Sequence, residues 1–265
     1  MTVPSYSPAQ TRAKPVGSLE KLALVLPTLH EAANLRALLN DVRRTLQRNS
    51  IPWELIVVDD NSRDGTAEIA AAIAREDQRV RLLVRRGQCG LAGAILHGWQ
   101  HTDATILGAM DADGQHPAEV LPQLIASIVN GQDLAIGSRY AQGGCRDWNF
   151  IRRLLSLAAT AAARPLQPSW PRVTDPLSGI FMVRRRCVDH VLFQAAGFKL
   201  LLEILVRGRI QSVEEIPFAF GRRQGGRSKM SGKVAWDYAG LLARLYRERF
   251  AMARLPQAGC PRSRF

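Results

Sequence analysis

Ile106-Leu107-Gly108-Ala109-Met110-Asp111-Ala112-Asp113-Gly114-Gln115-His116-Pro117 is an apolar run that stops abruptly in two carboxylates one residue apart. Such a run reads as a short buried strand. Residues i and i+2 of a strand point the same way, so Asp111 and Asp113 are expected to emerge together at its carboxyl edge. Two convergent carboxylates repel each other unless a cation lies between them. Hard oxygen donors on a short spacer suit Mg2+ or Mn2+, which takes one or two protein carboxylates and fills its other positions with substrate phosphates. A strand end followed by Asp, Gly and Pro is also an ordinary turn, so the metal reading depends on the rest of the chain.

Upstream, Lys21 to Pro27 and Trp53 to Val58 are apolar runs of strand length, and Val80 to Val84 is a third. Between them, Glu31 to Arg48 carries Leu35, Leu38, Leu39, Val42 and Leu46 at helical spacing, Ala67 to Arg75 looks helical, and a helix begins at Ala94 after the glycine-bearing loop Gly87 to Gly93. Downstream, Leu134 to Tyr140 runs through a strand into Arg139, and Arg152-Arg153 opens a helix through Ala163. Thr174 to Gly179 is a polar turn leading into a strand at Ile180-Phe181, Phe198 to Gly208 is helical, and Ile216 to Phe220 precedes the basic loop Arg222 to Lys229. Strands alternating with helices predict the α/β class with a doubly wound, mostly parallel sheet, whose ligands bind outside the carboxyl ends of the strands. No Gly-x-Gly-x-x-Gly or Gly-x-x-x-x-Gly-Lys-Ser/Thr pattern follows any strand, which removes the dehydrogenase and P-loop readings. What remains is a nucleotide site that handles a diphosphate through a carboxylate-held metal, with Asp59 or Asp60 placed to hydrogen-bond a base or ribose. Sugar nucleotides are bound in this way.

The 265 residues, 46% hydrophobic and 22% charged, suffice for one large domain. Residues 1–20 read as a flexible tail without the apolar core of a secretory signal. No run reaches the roughly 18 apolar residues needed to span a bilayer. Cys89, Cys145, Cys187 and Cys260 are scattered, which argues against structural zinc and a disulfide scaffold and for a reducing, cytoplasmic setting. His30, His97, His101, His116 and His190 are read as structural or solvated rather than as a metal set, with His116 alone beside the carboxylates. The net charge of +13 is lopsided: from Arg184 onward 17 basic residues face 6 acidic ones. The C-terminal third therefore faces an anion, which nucleic acid, acidic phospholipid or a phosphorylated substrate could supply.

The ordered motifs Pro27-Thr28-x-x-Glu31, Val58-Asp59-Asp60-Asn61-Ser62-x-Asp64-Gly65-Thr66, Asp111-Ala112-Asp113-x-Gln115-His116-Pro117, Gly137-Ser138-Arg139-Tyr140, Asp175-Pro176-x-Ser178-Gly179 and Arg223 with Lys229 six residues on resemble the polyprenyl-phosphate (dolichol-phosphate) mannose synthases. These are inverting members of glycosyltransferase family 2 on the GT-A (Rossmann-like) fold, and the resemblance runs from about Leu22 to Lys233. It implies transfer of mannose from GDP-mannose to a polyprenyl phosphate. By motif position it implies that Pro27, Glu31 and Asp60, with Asp59 beside them, hold the nucleoside. Asp111, Ala112, Asp113 and Gln115 would bind the diphosphate, with Mg2+ or Mn2+ on Asp111, Asp113 and Gln115. Arg139, Arg152, Ser156, Arg223 and Lys229 would surround the acceptor phosphate and the departing diphosphate, with Asp113, Arg139, Arg152, Arg223 and Lys229 carrying the catalysis. The chain departs from the usual pattern at His30, Arg63 and Gly114, at Gln88-Cys89, which lacks the common lysine, and at Leu157 to Thr160.

The resulting organisation is a catalytic domain over 21–233, an amphipathic helix over 234–255 and a tail over 256–265. Val234, Tyr238, Leu241, Leu242 and Leu245 share one face of that helix, while Arg244, Arg247, Arg249 and Arg254 lie elsewhere. Trp236 and Tyr246 suit an interface, so the helix either lies on an anionic membrane surface or packs on its own domain. Some members of the family carry transmembrane helices after the catalytic domain and others lean on small membrane subunits. Peripheral binding to the cytoplasmic membrane face, with such a subunit as partner, is the corresponding expectation here. A UDP-glucose donor on the same lipid is the alternative within enzymes. A non-catalytic sugar-nucleotide or nucleic-acid binding protein is the alternative outside them, disfavoured because the basic residues lack interleaved aromatics and the carboxylate pair would repel nucleic acid.

Overall fold

The computed structural model describes residues 20–49, 51–87, 90–140, 150–167, 172–193, 199–219, 221 and 232–254, without the side chains of 150–155, 232–235 and 250–254. In β1 (Leu22–Thr28), Leu22, Leu24 and Leu26 pack into one apolar layer, and Ala23 and Val25 into another. The same split recurs in β2 (Trp53–Asp59), with Leu55 and Val57 on one side and Ile56 and Val58 on the other. Strands that bury both faces are characteristic of a parallel sheet covered by helices on each side. The remaining strands are β3 (Val80–Val84), β4 (Ile106–Met110), β5 (Leu134–Ser138), β6 (Ile180–Arg184) and β7 (Val213–Pro217). They form a seven-stranded sheet of order β3-β2-β1-β4-β6-β5-β7, in which only β6 runs against its neighbours.

The helices are α1 (Ala32–Gln47), α2 (Thr66–Glu76), α3 (Leu91–Gln100), α4 (Leu121–Val129), α5 (Phe150–Ala163), α6 (Leu200–Arg207) and α7 (Gly232–Arg254). Residues of α1, α2 and α4 fill the first layer, and residues of α3 and α6 the second. Helix α3 lies so close on β1 that a Cβ at Gly98 would meet Val25 at 2.6 Å, and Trp99 beside it donates its indole N–H to the Gly108 carbonyl of β4 at 3.1 Å. Helix α4 is an element beyond those expected from the sequence, with Leu121, Leu124, Ile125 and Ile128 at the spacing of a buried helix face. Helix α3 also starts three residues earlier than expected, with Ala94 N–H bonded to the Gly90 carbonyl.

The sheet grows from β1 to β3 in one direction, and the chain then returns to lay β4 on the other side of β1. The strand order therefore reverses between β1 and β4, the switch point outside whose carboxyl ends doubly wound sheets bind ligands. Thr28 to Glu31 and Asp111 to Gln115 are the segments that leave those two strand ends.

A third apolar cluster joins Ala163, Leu166, Leu177, Leu202, Leu241 and Leu245. The apolar face of α7 is therefore seated on its own domain, one of the two arrangements its sequence allowed. Tyr238 and Tyr246 donate their hydroxyls to the Ala159 and Ala162 carbonyls of α5 at 2.6 and 2.9 Å. Arg207 of α6 bridges to Glu248 at 2.6 Å and to Glu203 at 2.5 Å. Trp236, in contrast, is 80% exposed. No helix among the described residues is long and apolar enough to cross a membrane.

Candidate active site at the carboxyl edge of the sheet

The loops after β1 and β2 are fastened to each other by short side chains. Asp59, fully buried, accepts from Thr28 Oγ1 at 3.0 Å, from Ser62 N–H at 2.8 Å and from Ser62 Oγ at 2.6 Å. Ser62 Oγ in turn accepts His30 N–H at 2.9 Å, and His30 and Asn61 both adopt the left-handed backbone conformation. Glu31 N–H reaches Thr66 Oγ1 at 3.0 Å, and Ala32 N–H reaches Asp64 at 3.1 Å. Burial works to raise the Asp64 pKa, but the hydrogen bonds from Thr66 and Ala32 outweigh it and hold the carboxyl below its usual range. Asp60 forms a buried pair with Arg85, whose Nε lies at 2.7 Å, and accepts Gly90 N–H at 2.9 Å at the start of α3. Both aspartates at the end of β2 thus brace the crevice wall, with Pro27 on β1 and Glu31, 7% exposed, alongside.

At the end of β4 the strand stops at Met110, one residue short of the carboxylates, so the alternation of a strand does not by itself aim them. Asp111 is aimed by β6: its N–H bonds to the Gly179 carbonyl at 3.1 Å, and its carboxylate occupies the space where a Cβ on Gly179 would stand, 2.0 Å from Oδ2. Asp113 is aimed by a turn, accepting the Gln115 N–H at 3.1 Å across Gly114, which takes φ 73°. Ala112 between them is buried. Gln115 clasps Gly221, donating Nε2 to its carbonyl at 3.2 Å and accepting its N–H at 3.0 Å, and so fixes the chain immediately before the basic segment. His116 is buried with its ring 5.5 Å from that of Phe218. Burial pushes its pKa down to about 4, with Asp113 opposing and Arg139 reinforcing the shift.

The far wall is ionic. Arg139, at the end of β5, donates Nε and Nη2 to the fully buried Asp175 at 2.8 and 2.6 Å. The Asp175 N–H and both polar hydrogens of Thr174 are taken by Glu215 of β7. Ser156 of α5 shares a 2.6 Å hydrogen bond with the Tyr140 hydroxyl, and the Arg139 guanidinium stands over the Tyr140 ring at 5.5 Å. Lys199, which the sequence reading did not single out, lies part-buried in the same wall and donates to the Leu177 carbonyl at 3.1 Å. Arg152 belongs to α5 but its side chain is outside the described residues, as are Arg223 and Lys229 altogether.

Among the described residues no group of three His, Cys, Asp or Glu side chains forms a closed metal cage. Two hard carboxylates seated at a strand end, with Gly179 leaving room for one of them, nevertheless fit Mg2+ or Mn2+, whose shells are normally shared with substrate phosphates and water. His97 and His101 do stand four residues apart on α3 with rings 4.3 Å apart, a spacing the sequence reading overlooked. One His101 ring nitrogen is already 2.7 Å from the His97 carbonyl, so the pair does not amount to a metal centre.

Residues 23–192 match the model of the family described as "Glycosyl transferase family 2". The chain is 39% identical over 228 residues to a dolichol-phosphate mannosyltransferase of Pyrococcus furiosus, covering 86% of this chain and 63% of that one. It therefore spans somewhat less than two thirds of the length of that relative. It is 36% identical over 244 residues to a dolichol-phosphate mannosyltransferase of Mycosarcoma maydis, covering 88% of this chain and 81% of the other. Among solved structures it superposes on the glucosyl-3-phosphoglycerate synthase of Mycobacterium tuberculosis in complex with Mn2+, UDP-glucose and phosphoglyceric acid. The TM-score is 0.65 at 19% identity, over 89% of this chain and 86% of that one.

Proposed function

The chain belongs to glycosyltransferase family 2, on the GT-A fold, and from that membership we propose that it moves mannose from GDP-mannose to a polyprenyl phosphate with inversion at the sugar. The observation that carries this reading is the Asp111-x-Asp113 pair at the switch-point crevice, in a chain whose relatives are named dolichol-phosphate mannosyltransferases. The donor nucleoside lies along the wall made by Pro27, Glu31, Asp59 and Asp60. Its diphosphate lies over Asp111, Ala112, Asp113 and Gln115, with Asp111, Asp113 and Gln115 holding Mg2+ or Mn2+. A divalent ion bound there supplies charge neutralisation to the departing diphosphate.

The residues of the chain account for the remaining chemistry. A lipid phosphate is ionised at neutral pH and attacks as an anion without a dedicated general base. What it requires is a cationic cradle that holds two anions in line, and arginine forks provide bidentate phosphate geometry. Arg139, Arg152, Arg223 and Lys229, with Ser156, form that cradle in this reading. Arg139 acts from its pair with Asp175, which fixes the guanidinium against Tyr140. The 17 basic residues from Arg184 onward, and Trp236 exposed at the start of α7, support docking on an anionic membrane surface, with a small membrane protein as companion.

Transfer of radiolabelled hexose into a chloroform-extractable lipid tests the reading, with polyprenyl phosphate, Mg2+ or Mn2+, and GDP-mannose or UDP-glucose in parallel. Label from GDP-mannose alone is expected. Label from UDP-glucose would keep the mechanism and change the donor, and no labelled lipid from either would overturn it. Arg223→Ala and Lys229→Ala are expected to raise the KM for lipid phosphate more than that for the donor. Co-sedimentation with anionic liposomes should fall when Arg244, Arg247 and Arg249 become Glu.

A further inference from the structure

Lys199 stands where burial and helix electrostatics disfavour a cation. It is the N-cap residue of α6, so its charge is set against the positive end of the helix dipole. Its ammonium, part-buried, makes one hydrogen bond, to the neutral Leu177 carbonyl at 3.1 Å, and among the described residues no carboxylate stands within ion-pair distance of it. Three N–H bonds leave two donors beyond that carbonyl. The charges in its surroundings are Asp111, Asp175 and Arg139, which places it on the wall between the Asp-x-Asp segment and the Arg139 pair. Burial first, then Arg139, push its pKa below the ordinary lysine value, with Asp111 and Asp175 opposing.

A desolvated cation with spare donors is stabilised when an anion completes its shell. We propose that Lys199 is a phosphate-binding residue of this site, taking a phosphoryl oxygen at the junction between the donor diphosphate and the acceptor phosphate. The inference rests on the reading of the crevice as a phosphate-handling site. It is distinct from the cradle named above, because Lys199 reaches the junction from α6. The neutral Leu177 carbonyl orients the ammonium without neutralising it, whereas the charge of Arg139 is already matched by Asp175.

The test is calorimetric titration of the full chain in Mn2+ with two probes, inorganic pyrophosphate and farnesyl phosphate, for wild type, Lys199→Gln and Lys199→Arg. Lys199→Gln keeps a donor for Leu177 while removing the charge, so its melting temperature should stay near wild type. Its affinity for one probe should fall about tenfold, the effect of losing one charged hydrogen bond, and Lys199→Arg should recover most of it. Loss confined to pyrophosphate assigns the donor side, and loss confined to farnesyl phosphate the acceptor side. A Lys199→Gln protein that binds both probes as wild type does, or a wild type that binds neither, overturns the proposal. Because a variant can fail to fold, reductive methylation of the wild type followed by mass spectrometry gives a second measure. Modification of Lys199 should be suppressed by whichever probe it holds, and unchanged modification with both overturns the proposal. Lys199 protection in a protein that transfers no sugar would sink the transferase reading alone, while active transfer with unprotected Lys199 would sink only this one.

Discussion

Two strands of one sheet end in a pair of aspartates, β2 in Asp59-Asp60 and β4 in Asp111-x-Asp113, and the two ends are built for different work. At β2 the acids are adjacent and are captured by different partners: Asp59 by Thr28 and Ser62, Asp60 by Arg85 and Gly90. Each closes a circuit within the fold. At β4 one residue separates the acids and the backbone sets both, Asp111 through Gly179 and Asp113 through the Gln115 turn. Two acids at a strand end therefore do not make a metal site by themselves. What aims the second pair is backbone geometry, the close approach of Gly179 to Asp111 and the Gln115 N–H on Asp113.

The sharpest way to break that comparison is to neutralise one acid at each end. If the proposed reading holds, Asp113→Asn removes a charge that faces the reacting diphosphate, so turnover should fall by about three orders of magnitude, the several kcal/mol that a metal-held charge contributes. The thermal midpoint should stay near wild type. Asp60→Ala should do the opposite in kind: it strands the Arg85 guanidinium in a buried site, and breaking such a pair costs about 3–5 kcal/mol of stability. A Asp113→Asn protein that melts early, or an Asp60→Ala protein that is stable but inactive, would erase the distinction.

Much of this was legible in the chain. The strands β1 to β5 fall within a residue or two of the apolar runs, because a strand buried on both faces reads as a continuous apolar run bounded by polar turns. The Asp-x-Asp pair was found by its spacing, but the reason given was incomplete: β4 ends at Met110, so the pair is aimed by a turn and by a neighbouring strand. Gly179 illustrates why. Its importance is the absence of a Cβ facing Asp111 across 68 positions of sequence, a long-range fact with no local periodicity. The partner of Arg139 was hidden for the same reason, since Asp175 lies in a different turn. Lys199 escaped because a lone lysine at the start of a helix carries no motif. Helix α4 has leucines and isoleucines at helical spacing, but its nine residues follow directly on the Asp111 to Pro117 turn and a one-turn 3-10 helix, which blur its start.

Gly179→Ala probes the placement of Asp111 without touching either carboxylate. The new Cβ would stand 2.0 Å from Asp111 Oδ2 and 2.6 Å from its carboxyl carbon, so the carboxylate must swing away. A displacement of about 1 Å in a catalytic group costs up to about a hundredfold in rate. Turnover should therefore fall by about ten- to a hundredfold, less than for Asp113→Asn, with a weakened dependence on Mn2+ concentration. Wild-type activity in Gly179→Ala would mean that Asp111 is held by something other than the close approach of β6.

The smallest effect expected separates fold from site by pH. Asp77, between α2 and β3, is captured by arginine as Asp60 is: Arg79 donates to it through Nε and Nη2, both at 2.9 Å, and Arg43 through Nε at 3.0 Å. The Arg79 hydrogen bond, against the opposing effect of burial, lowers its pKa from 3.8 to about 2. A carboxyl whose folded pKa lies below its unfolded one adds stability that is fully present above the unfolded value and is lost as the pH falls through the folded one. The window is therefore from about 4 down to about 2. Arg79 is 45% exposed, so solvent screening keeps the contribution to about 1–2 kcal/mol at neutral pH. Asp77→Asn should accordingly melt below wild type at neutral pH, and the gap should close as the pH approaches about 2. A gap that stays constant over that range would show that Arg79 and Arg43 hold the neutral side chain as well as the charged one, and the ionic capture argued for Asp60 would then need the same acid test at its end of the sheet.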